Sequence, residues 1–345
     1  MISCCLARSR ALLFSLTLAL PLVFSPLARA QADRLDMAAA KKEGTVSWYT
    51  STPIETAQRL AKAFEGETGI KVQLFRSGGE AVLRRFFQEL DAKKMVADVV
   101  TVSDPTAVEE LVRRQALVAF KPKNFEKVPD AFKNKDGYAV AQRLNLLGIV
   151  VRSDLVSDRD RPRDWQDLTH PKYKGKMVMP DPSFTANQLM VVGMLSQKYG
   201  WDFYKKLRAN ETMIVQGHQQ VSDTLKRGER PLAAEGSDAY AYGDRKAGHK
   251  VDMVFPTSGA FGVPAPTMII KGSPSPNAAK ALAEFMLSDT AQNMLATDGS
   301  YASRSDIKPP VGSRPLSAIK FIPIDYEYIE KEKQNIKQRF NEIYQ

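Results

Sequence analysis

The sequence predicts an α/β fold of two lobes joined by a hinge around an interlobe cleft. Three observations lead there. Between residues 44 and 104 the apolar pattern switches between strand and helix period five times, after residue 176 the same alternation begins again, and polar loops follow strand after strand.

Residues 1–30 carry the features of a targeting segment. Arg8 and Arg10 precede an apolar run over residues 11–24, broken by Pro21, and Ala28-Arg29-Ala30 forms an A-x-A cleavage signal. The run is shorter than the roughly 20 residues of a spanning helix, so cleavage after Ala30 and export to the periplasm are expected. Both cysteines, Cys4 and Cys5, fall in this segment. Without them the remainder has no disulfide, thiol nucleophile or cysteine-ligated zinc. The net charge of +10 becomes +7 once Arg8, Arg10 and Arg29 are removed. The basic residues are interspersed with acids on helix faces, which excludes a nucleic-acid footprint and leaves a solvated surface that steers anions.

Residues 46–49 read as a strand. A helix follows, with Ile54, Ala57, Leu60, Ala61 and Phe64 on one face, Thr52 as cap and Pro53 in the first turn. Gly69 stops it, residues 71–75 form a second strand, and Val82, Leu83, Phe86, Phe87 and Leu90 mark a second helix. Residues 98–102 form a third strand running into Ser103, Asp104 and Pro105. In a parallel sheet with crossover helices, the loops after the strands meet at one edge. That edge collects Thr50, Ser51 and Thr52, then Arg76, Ser77, Gly78 and Gly79, then Ser103 and Asp104. Hydroxyls and helix-start amides favour an anionic group, and the glycines let backbone come close to it.

Residues 138–152 read as two short strands making the first crossing between lobes, with Arg143 and Asn145 interrupting the apolar run. A charged residue central in a strand is rare without a partner, so Arg143 reads either as an exposed strand residue or as a group that meets the ligand, with Asn145 as a candidate beside it. Trp165 is expected to pack. A second α/β series opens at residues 176–179, and Ser183 and Thr185 follow its first strand, facing the cleft from the opposite wall. His218 follows another strand, and the next, residues 232–235, ends on Glu235 and runs into Asp238 and Tyr240. Residues 256–260 are the expected return crossing, and the helices beyond are expected to brace lobe one. The resulting limits are 31–142 plus 260–345 for lobe one and 143–259 for lobe two, each with its own sheet.

The run AKAFEGETGIKVQLFRSGGE followed by ADVVTVSD, with WQDLTHPKYKGKMVMPDPS, GERPLAAEGSDAYAY and VDMVFPTSGAFGVP in order, resembles the type II periplasmic solute-binding proteins of ABC importers, in the branch that includes the ferric-iron-binding proteins. The resemblance implies a monomeric receptor without cofactor that passes a solute to a membrane permease. It also implies where iron ligands would stand: a histidine at about Pro53, a glutamate at about Ser103, and a tyrosine pair near Ala239 and Tyr240. Most of that set is missing here. Tyr240 and Tyr242, two residues apart, would point about 200° from each other on a helix and would chelate one ion together only on an extended loop. The expected ligand is therefore a small organic anion, carboxylate or phosphorylated, with ferric iron on Tyr240 and Tyr242 as the alternative. The absence of GxSxG, HExxH and phosphate-loop motifs sets a secreted hydrolase below both.

Overall fold

The computed structural model describes Met1 and residues 35–344. The targeting segment expected over residues 1–30 lies outside the described residues beyond Met1. Helix α1 (Met37–Glu43) is capped by Asp36, whose carboxylate accepts from the amides of Ala38 and Ala39, and ends at Gly44 in the left-handed region with φ 74°. Strand β1 (Thr45–Thr50) then pairs parallel with β2 (Lys71–Arg76) on one side and β3 (Val99–Thr101) on the other. Helix α2 (Ile54–Thr68) buries Ala57, Leu60, Ala61 and Phe64, and α3 (Gly79–Asp91) buries Val82, Leu83 and Phe86. These are the faces that the 3.6-residue period predicts. The cap of α2 differs: Pro53 takes the cap position, and the Thr52 hydroxyl turns back to accept from Gln142. Helix α4 (Thr106–Arg113) and the short β4 (Leu117–Val118) complete this half.

The second half repeats the plan. Strands β6 (Met177–Pro180), β7 (Met213–Val215) and β8 (Leu232–Ser237) form another parallel triplet with β6 in the middle. Helices α5 (Ala186–Tyr199), α6 (Asp202–Ala209), α7 (His218–Arg227) and α8 (Asp238–Lys246) connect and cover it, before β9 (Val251–Val254). Trp165 is fully buried and donates from its indole nitrogen to the Gly259 carbonyl at 2.8 Å.

The crossings depart from expectation. Residues 140–152 form a single strand β5 (Val140–Arg152), not two, and the return strand β10 (Phe261–Ile270) runs antiparallel beside it. The triplets are therefore not separate sheets: the ladder runs continuously as β2-β1-β3-β10-β5-β8-β6-β7. The pairing of β10 with β5 shifts register between Ala265 and Pro266, where proline cannot donate to the ladder. Helices α9 (Pro276–Met286) and α10 (Asp289–Thr297) pack with the first triplet's apolar cluster, and β11 (Tyr301–Ala302) adds to β5.

The last helix, α11 (Tyr326–Tyr344), is expected with lobe one but packs elsewhere. Its Ile329, Ile336 and Phe340 enter the cluster containing Met190, Leu195, Phe203, Tyr204 and Leu207 of α5 and α6. Amphipathic spacing demanded an apolar partner, and α5 supplies it through Gly193, where an added Cβ would lie 2.4 Å from Ile329 Cδ1 and 3.0 Å from Ile336 Cδ1. Gly193→Val is expected to lower unfolding stability by about 1–3 kcal/mol through overpacking. A urea midpoint equal to that of the unmodified protein would show that α11 does not depend on this close approach.

Candidate functional site

The loops after the strands converge on a cavity of about 260 Å³ between the two halves. From the first half come Ser51 and Pro53 after β1, Arg76 to Gly79 after β2, and Ser103 after β3. From the second come Phe184 to Asn187 after β6, Gln216 to Gln220 after β7, and Ser237 and Tyr240 around the start of α8. Arg143 and Asn145 reach in from β5, on the same face of that strand because side chains alternate. The volume lies below the roughly 300–1,000 Å³ of drug-sized sites, so the occupant is small.

Arg143 dominates the electrostatics. Its side chain is 2% exposed, and Nε and Nη1 have no hydrogen-bond acceptor among the described residues. Burial pushes its pKa down to about 10 against the pull of Asp238 and Tyr240, so the guanidinium is still charged at neutral pH. Arg76, the second cation, is already engaged, donating from Nε to the Thr52 carbonyl at 3.0 Å and from Nη2 to the Tyr240 hydroxyl at 3.1 Å. Asn145 Nδ2 donates to Ser103 Oγ at 2.6 Å and to the Val263 carbonyl at 3.2 Å, fixing the serine against the cavity.

Three helices begin at this cavity: α3 after Gly78, α5 after Thr185 and α7 after Gly217. None is capped by a side chain, so their first-turn amides and the positive ends of their dipoles bear on one space. The two walls touch. Glu80 N–H donates to the Phe184 carbonyl at 3.3 Å, and Phe184 lies so close to Gly78 that an added Cβ would stand 2.3 Å from its ring. His218 donates or accepts through Nε2 at 2.9 Å from buried Glu235 and stacks on Tyr240 with ring centroids 6.2 Å apart.

Of the residues singled out from sequence, the structure brings Ser51, Arg76, Ser77, Gly78, Gly79, Ser103, Arg143, Asn145, Thr185 and Tyr240 to the cavity. Thr50 and Thr52 lie behind it, their hydroxyls bonded to each other at 2.9 Å. Asp104 accepts from the amide and hydroxyl of Thr106, and Ser183 borders a separate depression with α11. Glu235 is taken up by His218, and Asp238 is buried beneath Leu146, whose amide donates to it at 3.1 Å. Asp104, Glu235 and Asp238 follow or end strands as expected but serve the frame, since their carboxylates accept hydrogen bonds from Thr106, His218 and Leu146 rather than facing the cavity. Tyr242 turns away from Tyr240 around α8 and meets Gly299. The helix thus separates the two phenols that an extended loop would have brought together. Among the lining residues that the sequence pattern does not single out, Phe184 and Gln216 lie in recognised strand-to-helix loops, Asn187, Gln219 and Gln220 in the first turns of the helices that follow, and Ser237 at the end of β8.

The chain belongs to the bacterial extracellular solute-binding proteins, whose family profile matches residues 94–332. This is a family of binding proteins, not of enzymes. Among relatives, a periplasmic protein of Salmonella typhimurium named for 2-aminoethylphosphonate binding is 25% identical over 278 residues, covering 77% of each chain. Among solved structures, the periplasmic binding protein AfuA of Actinobacillus pleuropneumoniae, with fructose-6-phosphate bound, is 21% identical with a TM-score of 0.78, covering 87% of this chain and 98% of that one. Iron-bound HitA of Pseudomonas aeruginosa is 17% identical with a TM-score of 0.74, covering 87% and 99%. The fold is accordingly the two-lobed periplasmic binding-protein fold.

Asp238 gives a pH prediction. Burial pushes its carboxyl from 3.8 up to about 7, against the Leu146 and Ala239 amides and Arg143. Between about pH 4 and 7 the folded protein holds a proton that the unfolded chain has released, so this group's contribution to stability falls as pH rises through that window. Thermal midpoints of Asp238→Asn should fall less between pH 4.5 and 7 than those of the unmodified protein. Parallel pH profiles would contradict the shift.

Proposed function

We propose that this protein is the periplasmic receptor of an ABC-type importer and captures a small organic anion, with a phosphonate or phosphate ester preferred to a carboxylate. The segment ending at Ala30 directs export and is removed. One lobe comprises about 31–142 with the chain from 260 up to α11, and the other about 143–259 with α11 packed on it. The strands β5 and β10 act as the hinge. The receptor works as a monomer, carries out no turnover, needs no cofactor and hands its solute to a membrane permease.

The observation that carries this reading is Arg143. A buried guanidinium with two unpaired donors is costly to keep unless an acceptor arrives, and a tetrahedral anion brings several oxygens at once. Three uncapped helix starts around the same space favour the same charge. The names of two similar proteins, for an aminophosphonate and a sugar phosphate, support it. Ferric iron fits less well because Tyr240 accepts from Arg76, Tyr242 faces elsewhere, and two guanidinium groups would repel a cation.

Titration calorimetry with 2-aminoethylphosphonate, fructose 6-phosphate, citrate and ferric iron tests the reading. A phosphorus-containing anion should bind with one-to-one stoichiometry and no product. Arg143→Ala should weaken that binding by about 1.5–3 kcal/mol, and Tyr242→Phe should leave it unchanged. Ferric binding with a visible phenolate band, lost in Tyr240→Phe, would replace the anion by iron.

A further inference from the structure

We infer that α11 is a clasp that holds the cleft closed, with Lys333 and Lys337 as positioning residues for solute capture; the capture part rests on reading the cavity as the solute site. The helix is fixed to the second half by Ile329, Ile336 and Phe340. Lys333 and Lys337, four residues apart and therefore on one side of the helix, reach back to the first half. Lys333 Nζ lies 3.6 Å from Glu80 Oε1 and 3.6 Å from Asp104 Oδ2, and Lys337 Nζ pairs with Glu80 Oε2.

Both carboxylates stand directly behind the cavity wall. Glu80 follows Gly79, and Asp104 follows Ser103, and each of those neighbours lines the cavity. Glu80 also joins the wall contact itself through its amide and the Phe184 carbonyl. Glu80 and Asp104 are 6% and 1% exposed, so neither charge is balanced by water. Two buried anions beside an anion site would oppose both closure and capture unless cations answer them. The lysines answer them only while the walls are together, because the helix that carries them is anchored on the other side of the cleft. Opening the cleft breaks three ion pairs at once. The closed state is thereby favoured by contacts outside the cavity, and the solute has less ordering left to supply.

Small-angle X-ray scattering and phosphate titration on the protein purified from the periplasm test this. Without solute, Lys333→Met with Lys337→Met should enlarge the radius of gyration, and Lys333→Arg with Lys337→Arg should restore it. The dissociation constant for inorganic phosphate should rise about tenfold in the methionine variant and return in the arginine variant. If the methionine variant loses its circular dichroism signal, Glu80→Gln with Lys337→Met, which removes opposite charges together, takes its place. Equal radii in variant and unmodified protein overturn the clasp, whether or not phosphate binds. A larger radius with unchanged phosphate affinity overturns the positioning role. Failure of phosphate to bind the unmodified protein, with the radius still responding to the lysines, overturns the cavity reading and leaves the clasp standing.

Discussion

A guanidinium removed from water with two of its donors unanswered is the constraint around which this molecule is arranged. Burying an isolated charge costs far more than a fold of ordinary stability can absorb, so something must compensate it. Asp238 attracts Arg143 only when ionised and burial raises its carboxyl to about 7, burial also raises the Tyr240 phenol so that it is neutral there, and neither hydrogen-bonds Arg143 Nε or Nη1. The three uncapped helix starts add positive potential to the same space. Positive charge concentrated there, with the walls in contact, describes a site completed by an incoming anion.

The strand that holds Arg143 explains why the architecture serves this end. Strand β5 crosses the whole molecule between two parallel triplets, paired with β10 on one side and β8 on the other. Arg143, the fourth residue of β5, lies opposite Ala265 of β10, and its side chain reaches the cavity on which loops from both triplets converge. The same two strands, with the segment that leads into α11, are the covalent connections that any relative movement of the halves must bend. Ligand charge and lobe position are thus linked through one element, and α11 adds a second tie between the halves at a distance from the cavity.

Much of this was legible in the sequence, and the exceptions have physical causes. The alternation in residues 44–104 located three strands and two helices: each helix buries one apolar face, and β1 and β3, buried on both faces, stand out as short apolar runs between them. The loops between them pointed to Ser51, Arg76, Gly78, Gly79 and Ser103, all of which reach the cavity. Strand β5 was read as broken because Arg143 and Asn145 interrupt its apolar run, and a buried polar cavity is what makes such an interruption compatible with one strand. Glu235 and Asp238 were placed at the correct edge, but their direction depends on partners far away in sequence, His218 and the Leu146 amide. The docking of α11 was illegible for the same reason: its spacing shows that Ile329, Ile336 and Phe340 need a partner, and only the tertiary fold shows that Gly193 of α5 provides the room.

The most direct measurement is the anomalous signal of crystals grown with tungstate, a heavy dianion of phosphate shape. The account predicts one strong site inside the cavity, within hydrogen-bonding distance of Arg143 Nε and Nη1 and of the amides at the starts of α3 and α5, and its loss in Arg143→Ala. Tungstate found only on the outer surface, or held in the cavity equally well without Arg143, would contradict it.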